Sequence, residues 1–190
     1  MLSRSIKSVV RMARPVINPI LGLFFDKDVL KGRYFDDTLI GYRWAFRSIW
    51  QRNILRLAPP LPFPAALTCQ VSNGSNIAFN PNDLNNFQTG GTYYQNFGAS
   101  IKIGPGTYIA PNVGIITANH DPNNLDGHTP AEAVTIGAGC WIGMNSMILP
   151  GVTLGNKTIV GAGSIVTKSF PDGNCVIAGN PARKLRALED

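Results

Sequence analysis

A mainly β solenoid of three-sided coils is the fold class this chain of 190 residues predicts, and three observations carry the prediction. Phe97, Ile103, Ile109 and Ile115 fall six residues apart, and after a gap Ile136, Ile142, Ile148, Leu154, Val160 and Val166 take up the same spacing. Small residues follow many of them: Gly98, Gly104 and Ala110 before the gap, Gly137, Gly143, Gly155 and Gly161 after it. The interval between the two runs is polar and holds both histidines of the chain.

An apolar residue at every sixth position matches neither the 3.6-residue period of a helix nor the two-residue alternation of a long strand. It matches a coil with flat faces about six residues long, three faces and about eighteen residues to a turn. One large aliphatic per face points inward and stacks on its equivalent in the next coil, while small residues let the chain round each corner. Val71 and Ile77, also six apart, suggest an earlier and less regular coil. The polar run NPNDLNNFQTGG reads as a loop near residues 83–92. A second loop, 117–135, protrudes between regular coils, and a tail follows the last coil.

The expected organisation is an N-terminal helical and basic segment, 1–60, and a solenoid domain, 61–190. Residues 1–56 carry eleven Lys or Arg against four Asp or Glu, a balance of +7, whereas the whole chain has a net charge of +6. Arg4, Lys7, Arg11 and Arg14 fall on one side of a predicted helix, with Leu2, Ile6, Val9, Val10 and Ala13 on the other. Such a helix fits a cap on the open end of a solenoid, which otherwise leaves apolar surface and strand edges bare. The alternative is peripheral contact with an anionic membrane surface. In a second predicted helix, YRWAFRSIWQRNILRL, Trp44, Phe46, Ile49 and Trp50 are expected to pack. No nucleic-acid motif accompanies the basic residues, so no nucleic-acid partner is expected. Pro15 and Pro19 interrupt the apolar stretches near the start, no stretch reaches spanning length, and no small-residue cleavage site marks a signal peptide. Cys69, Cys140 and Cys175 form no metal-type pair, which favours buried, reduced thiols and a cytoplasmic location.

The stretch CWIGMNSMILPGVTLGNKTIVGAGSIVTKSFPDGNCVIAGNPARKLR joins WIG, PGV, GAGSIVTK and GNPAR in that order. Over about residues 96–186 the chain resembles the left-handed β-helix acyltransferases of the hexapeptide-repeat type, in particular the sugar O-acetyltransferases of the maltose, galactoside and nodulation-factor kinds. That resemblance implies a left-handed parallel β-helix, acetyl-CoA as co-substrate, and a homotrimer with active sites between subunits. It also implies a saccharide acceptor, as in surface polysaccharide biosynthesis.

A solenoid of tight coils has no deep cleft, so a site requires a protruding loop or a neighbouring surface. The 117–135 loop supplies one, and His120 stands where the chain leaves the regular coil. By resemblance His120 is the catalytic base. Acetyl transfer to a hydroxyl needs a group that takes a proton near neutral pH, and an imidazole does so. Direct transfer is expected, with no acyl-enzyme. Asp121, His128 and Glu132 are candidates for binding acceptor or orienting His120, and by resemblance Asn96 contacts the acceptor. The resemblance matches Met144, Ala162, Thr167, Lys168 and Arg186 to the path of the pantetheine, with Trp141 near its reacting end. Lys168, Arg183, Lys184 and Arg186 gather positive charge for the nucleotide phosphates. No metal is expected: a carbonic anhydrase on this kind of solenoid needs three histidine ligands, and the chain has two. Serine or amino-sugar acetyltransferase remains the rival enzyme reading and a structural solenoid the non-enzyme one.

Overall fold

From Ile103 onward, every predicted hexad aliphatic through Val166 is buried in the computed structural model, which describes residues 4–189 and side chains from residue 8. The chain forms two compact units, 1–67 and 68–190.

In the second unit three parallel sheets make the sides of a coil. The first face stacks Gln70–Val71, Tyr93–Gln95, Gly114–Ile116, Met147–Ile148 and Ile165–Val166. The second stacks Ile77–Ala78, Ile101–Ile103, Val134–Ile136 and Thr153–Leu154, with a single bridge from Leu154 to Phe170. The third stacks Tyr108–Ile109, Trp141–Ile142, Thr158–Val160 and Cys175–Gly179. The register aligns like with like: Ile109, Ile142, Val160 and Ile177 form one continuous inner column. Fully burying each such side chain is worth about 1.5–3 kcal/mol, so the repeated aliphatic is the main stabiliser of the coil.

Corners need residues that tolerate positive φ or close approach. Asn112, Asn145 and Gly163 occupy equivalent corners at φ of 58°, 60° and 69°. Asparagine is the commonest non-glycine residue to accept this conformation because its short polar side chain bonds locally. At Gly104 the constraint is space: a Cβ there would lie 2.5 Å from the backbone of Gly137 and Ala138 in the coil above. Buried hydroxyls satisfy corner carbonyls, as when Thr107 donates to Gly137 (2.8 Å) and Ser146 to Gly161 (3.0 Å).

Three expectations change. Phe97 is exposed, and the inner residue of its coil is Tyr94, which stacks between Val71 and Ile115. The corner from Asn96 to Ser100 is longer than a hexad allows, and it carries Phe97 outward. The run expected as a loop at 83–92 begins as a 3₁₀ segment, Pro81–Gln88, with Asp83, Leu84, Asn86 and Phe87 buried. It lies along the edge of the third face. The Asp83 carboxylate accepts from Gly106 N–H (2.8 Å), and the Asn86 amide accepts from Ile109 N–H (3.0 Å) while donating to Thr107 C=O (2.9 Å). A side-chain amide thus continues the hydrogen-bond ladder where the strands stop. The expected tail is a strand, Ala182–Ala187, that turns back antiparallel on Cys175–Gly179.

Outward side chains differ by face. The first presents Tyr93, Met147 and Ile165, and the third Tyr108, Trp141, Ile159 and Val176. The second presents Lys102, Thr135 and Thr153. All three cysteines are buried and outside any disulfide, and burial pushes the Cys140 thiol above its usual range.

In the first unit, α1 (Arg4–Leu21) includes both Pro15 and Pro19. Leu2 of the predicted helix, and the side chains of Arg4, Ile6 and Lys7, lie outside the described residues. Arg14 pairs with Asp36, and the Tyr42 hydroxyl donates to Asn18 (2.8 Å), tying α1 to the following helix, α2 (Ile40–Ser48). A π-helical stretch, Ile49–Ile54, continues α2. Of the four expected packing residues, Ile49 is buried and Trp44 half-buried. Phe46 and Trp50 are exposed, on the flank of the helix beside the buried row of Tyr42, Ala45 and Ile49.

Candidate active site

The polar interval leaves the first face after Ile116 and rejoins the second at Val134. Its ends are pinned. Glu132 N–H donates to Thr117 C=O (2.7 Å) and Thr129 N–H to Asn119 C=O (2.9 Å), so the loop is closed at its base. Between these ties His120–Asp121 pairs antiparallel with Asn124–His128, and His120 lies opposite His128.

Gln95 anchors the point of departure. Its side-chain oxygen accepts from the N–H groups of Thr117 and Ala118, both at 3.0 Å, and its nitrogen donates to Ala118 C=O (3.1 Å). Three bonds therefore hold the backbone just before His120. The imidazole is exposed, and its Nδ1 lies 2.8 Å from the carbonyl oxygen of Leu125. A carbonyl only accepts, so Nδ1 carries the proton of that bond and Nε2 of the neutral ring keeps a free lone pair. The His128 ring lies over His120 with centroids 4.5 Å apart, and the edge of Phe97 meets His128 at 5.0 Å. Phe97, displaced from the core by its long corner, thus becomes a wall of this site.

The carboxylates of the loop stand elsewhere. Asp121 accepts from Asn123 N–H (2.8 Å), Asp126 is exposed, and Glu132 lies over Gly151 at the next corner. None of them pairs with His120, and the orienting group is the Leu125 carbonyl. Asn96 is fully buried, with its amide engaged on both sides by the backbone of Asn73 (2.9 and 2.7 Å). This corrects the acceptor contact expected there: both ends of the amide hold one coil to the next.

The expected coenzyme residues divide among three places. Met144 and Ala162 are exposed neighbours at the corner between third and first faces, where Gly163 N–H donates to Met144 C=O (2.8 Å). A Cβ at Gly143 would lie 2.6 Å from Ala162 N, so glycine is required for these corners to stack. Trp141 is exposed on the third face, and Arg186 pairs opposite Val176 on the edge strand of that sheet. Arg183 and Lys184 are exposed beside it. Thr167 and Lys168 stand exposed at the corner after the first face, the corner from which the His120 loop also departs. Within one chain the imidazole shares a corner column with Thr167 and Lys168, while Trp141, Met144 and Ala162 lie around the other side of the coil.

Gln95, Leu125 and Phe97 emerge only in the folded chain. Leu125 acts through its backbone, which has no sequence signature, whereas Gln95 stands beside an asparagine that drew attention first.

Residues 133–168 match the bacterial transferase hexapeptide family (six repeats). The galactoside O-acetyltransferase of Escherichia coli is 39% identical over 114 residues, which is 55% of this chain and 56% of that protein. A Staphylococcus aureus protein assigned by name to the acetyltransferases is 33% identical over 146 residues, 75% of this chain and 68% of its own length. A solved galactoside acetyltransferase in complex with coenzyme A has 35% identity and a TM-score of 0.53, covering 64% of this chain and 60% of that one. Several other curated relatives are spanned for only about half their length, between 45% and 58%.

Proposed function

Because the chain belongs to the hexapeptide-repeat acetyltransferases, we propose that it transfers acetyl from acetyl-CoA to a hydroxyl of a saccharide, with His120 as general base. The observation that carries this reading is the bond between His120 Nδ1 and the Leu125 carbonyl, which fixes the tautomer a base requires. In the reaction Nε2 takes the hydroxyl proton as the oxygen attacks the thioester carbonyl. The C–S bond then breaks, and the same nitrogen returns the proton to the departing thiolate. The buried cysteines stand apart from this chemistry, which supports direct transfer.

The coil is left-handed, and the site is completed between subunits of a homotrimer. The outward apolar residues on the first and third faces, set against the polar second face, favour burial of two sides of the coil between subunits. Such packing brings the His120 loop of one subunit to the Trp141, Met144 and Ala162 side of another. Thr167, Lys168, Arg183 and Arg186 supply polar and cationic contacts for coenzyme A. Asp121, His128 and Glu132 line the acceptor side, and Asn96 supports them from within the coil. A cytoplasmic location gives access to acetyl-CoA, and a surface polysaccharide precursor suits a saccharide acceptor.

The test combines purified chain with labelled acetyl-CoA and a panel of sugars, amino sugars and serine. Label should pass to a saccharide hydroxyl, and His120→Ala should lower kcat by roughly 10²–10⁴-fold with an unchanged melting curve. Equal transfer by the alanine variant would remove His120 from the mechanism.

A further inference from the structure

The outer side of α1 has no role in the transferase reading, yet it exposes a row of large apolar side chains. Val9, Met12, Val16 and Ile20 recur at steps of three and four and are exposed, and Leu23 just beyond the helix is 81% exposed. The side of α1 that packs is a different one, made by Val10, Arg14, Ile17 and Leu21, half-buried or buried. The helix therefore carries two apolar stripes, of which one is covered. A second exposed row follows in α2 and its continuation, where Arg43, Phe46, Trp50 and Ile54 again recur at three and four.

We infer that the first unit docks on an anionic lipid bilayer, with the outer stripe of α1 lying in the headgroup region and Phe46 and Trp50 as further anchors. Charge favours lipid over a protein partner of neutral surface. No charged residue occurs between positions 57 and 67, so the whole +7 balance of residues 1–56 belongs to this unit. Arg11, Arg43 and Arg56 are exposed. Each basic residue near an anionic surface adds attraction, and Trp beside Arg is suited to the boundary between water and hydrocarbon. The prolines favour lying on the bilayer rather than crossing it. Pro15 and Pro19 lack N–H groups, so the carbonyls of Arg11 and Pro15 lose their usual helical donors and require water or headgroups. No helix among the described residues is long and apolar enough to span a membrane. The inference rests on the first unit alone and is independent of the transferase reading.

The experiment is co-sedimentation of the full chain with vesicles of phosphatidylcholine alone or of equal parts phosphatidylcholine and phosphatidylglycerol. Binding should be confined to the anionic vesicles, weaken with added salt, and fall by roughly tenfold or more in Met12→Glu/Val16→Glu. Circular dichroism and the melting curve of that variant should match the parent. Quenching of tryptophan fluorescence by brominated lipid should shrink in Trp50→Phe, a milder change that reports the second row. Failure to bind anionic vesicles, or binding that survives the double substitution, overturns the inference. So does a loss of oligomeric mass in Met12→Glu/Val16→Glu by light scattering, which would give the stripe to another copy of the chain.

Discussion

The solenoid is interrupted twice, at residues 79–92 and at 117–133, and the two polar segments fold in opposite senses. The first turns inward: Leu84 and Phe87 are buried, and Asp83 and Asn86 bond to the edge of the third face. The second turns outward, and from Asn119 to Asp126 every residue is exposed or half-exposed. Both contain several Asn together with Asp and Pro, so polarity alone does not separate them. The separating feature is a pair of large apolar residues at helical spacing in the first, for which the second offers only Leu125, itself exposed. An interruption with anchors becomes part of the core, and one without them becomes a platform for side chains such as His120.

Three substitutions sharpen that contrast. Phe87→Ala removes a ring packed between Phe79 and Tyr94, at centroid distances of 4.4 and 5.3 Å, and should cost about 3–5 kcal/mol in urea unfolding. If it costs little, the first interruption is not part of the core. Gln95→Ala releases the backbone before His120. It should lower kcat by about tenfold with little change in KM for acetyl-CoA, because the base loses its placement while the coenzyme contacts remain. A change in KM alone would mean that Gln95 serves binding. The smallest effect concerns pH. Burial holds the Tyr94 phenol well above its ordinary value of 10.0, so the folded chain keeps that proton where the unfolded chain loses it. The associated stability is present below about pH 10 and declines above it, by up to about 1.4 kcal/mol per pH unit. Tyr94→Phe should flatten that alkaline decline in urea midpoints.

The regular coils were readable because one inward aliphatic recurs at a fixed interval on either side of the gap, and all nine hexad aliphatics from Ile103 to Val166 are buried. The reading failed where the interval changed. Between Tyr94 and Ile103 the corner gains residues, so counting back in sixes lands on exposed Phe97 and passes over buried Tyr94. At the site, the break in rhythm located His120, but its orienting partner is a backbone carbonyl that any residue at position 125 supplies. Asn96 shows the converse difficulty. A polar side chain beside a site carries the same letter whether it faces a ligand or, as here, clamps two coils together.

The reversed strand Ala182–Ala187 bears on how the parallel sheet of the third face is closed at its edge. A parallel coil is a template for another of the same polarity, and a bare terminal rung invites stacking into filaments. Because Ala182–Ala187 runs in reverse and exposes Arg183, Lys184 and Arg186, the final rung of the third face offers an incoming chain the wrong direction and a repulsive row of like charges. Addition of a further parallel strand is thereby disfavoured at that edge.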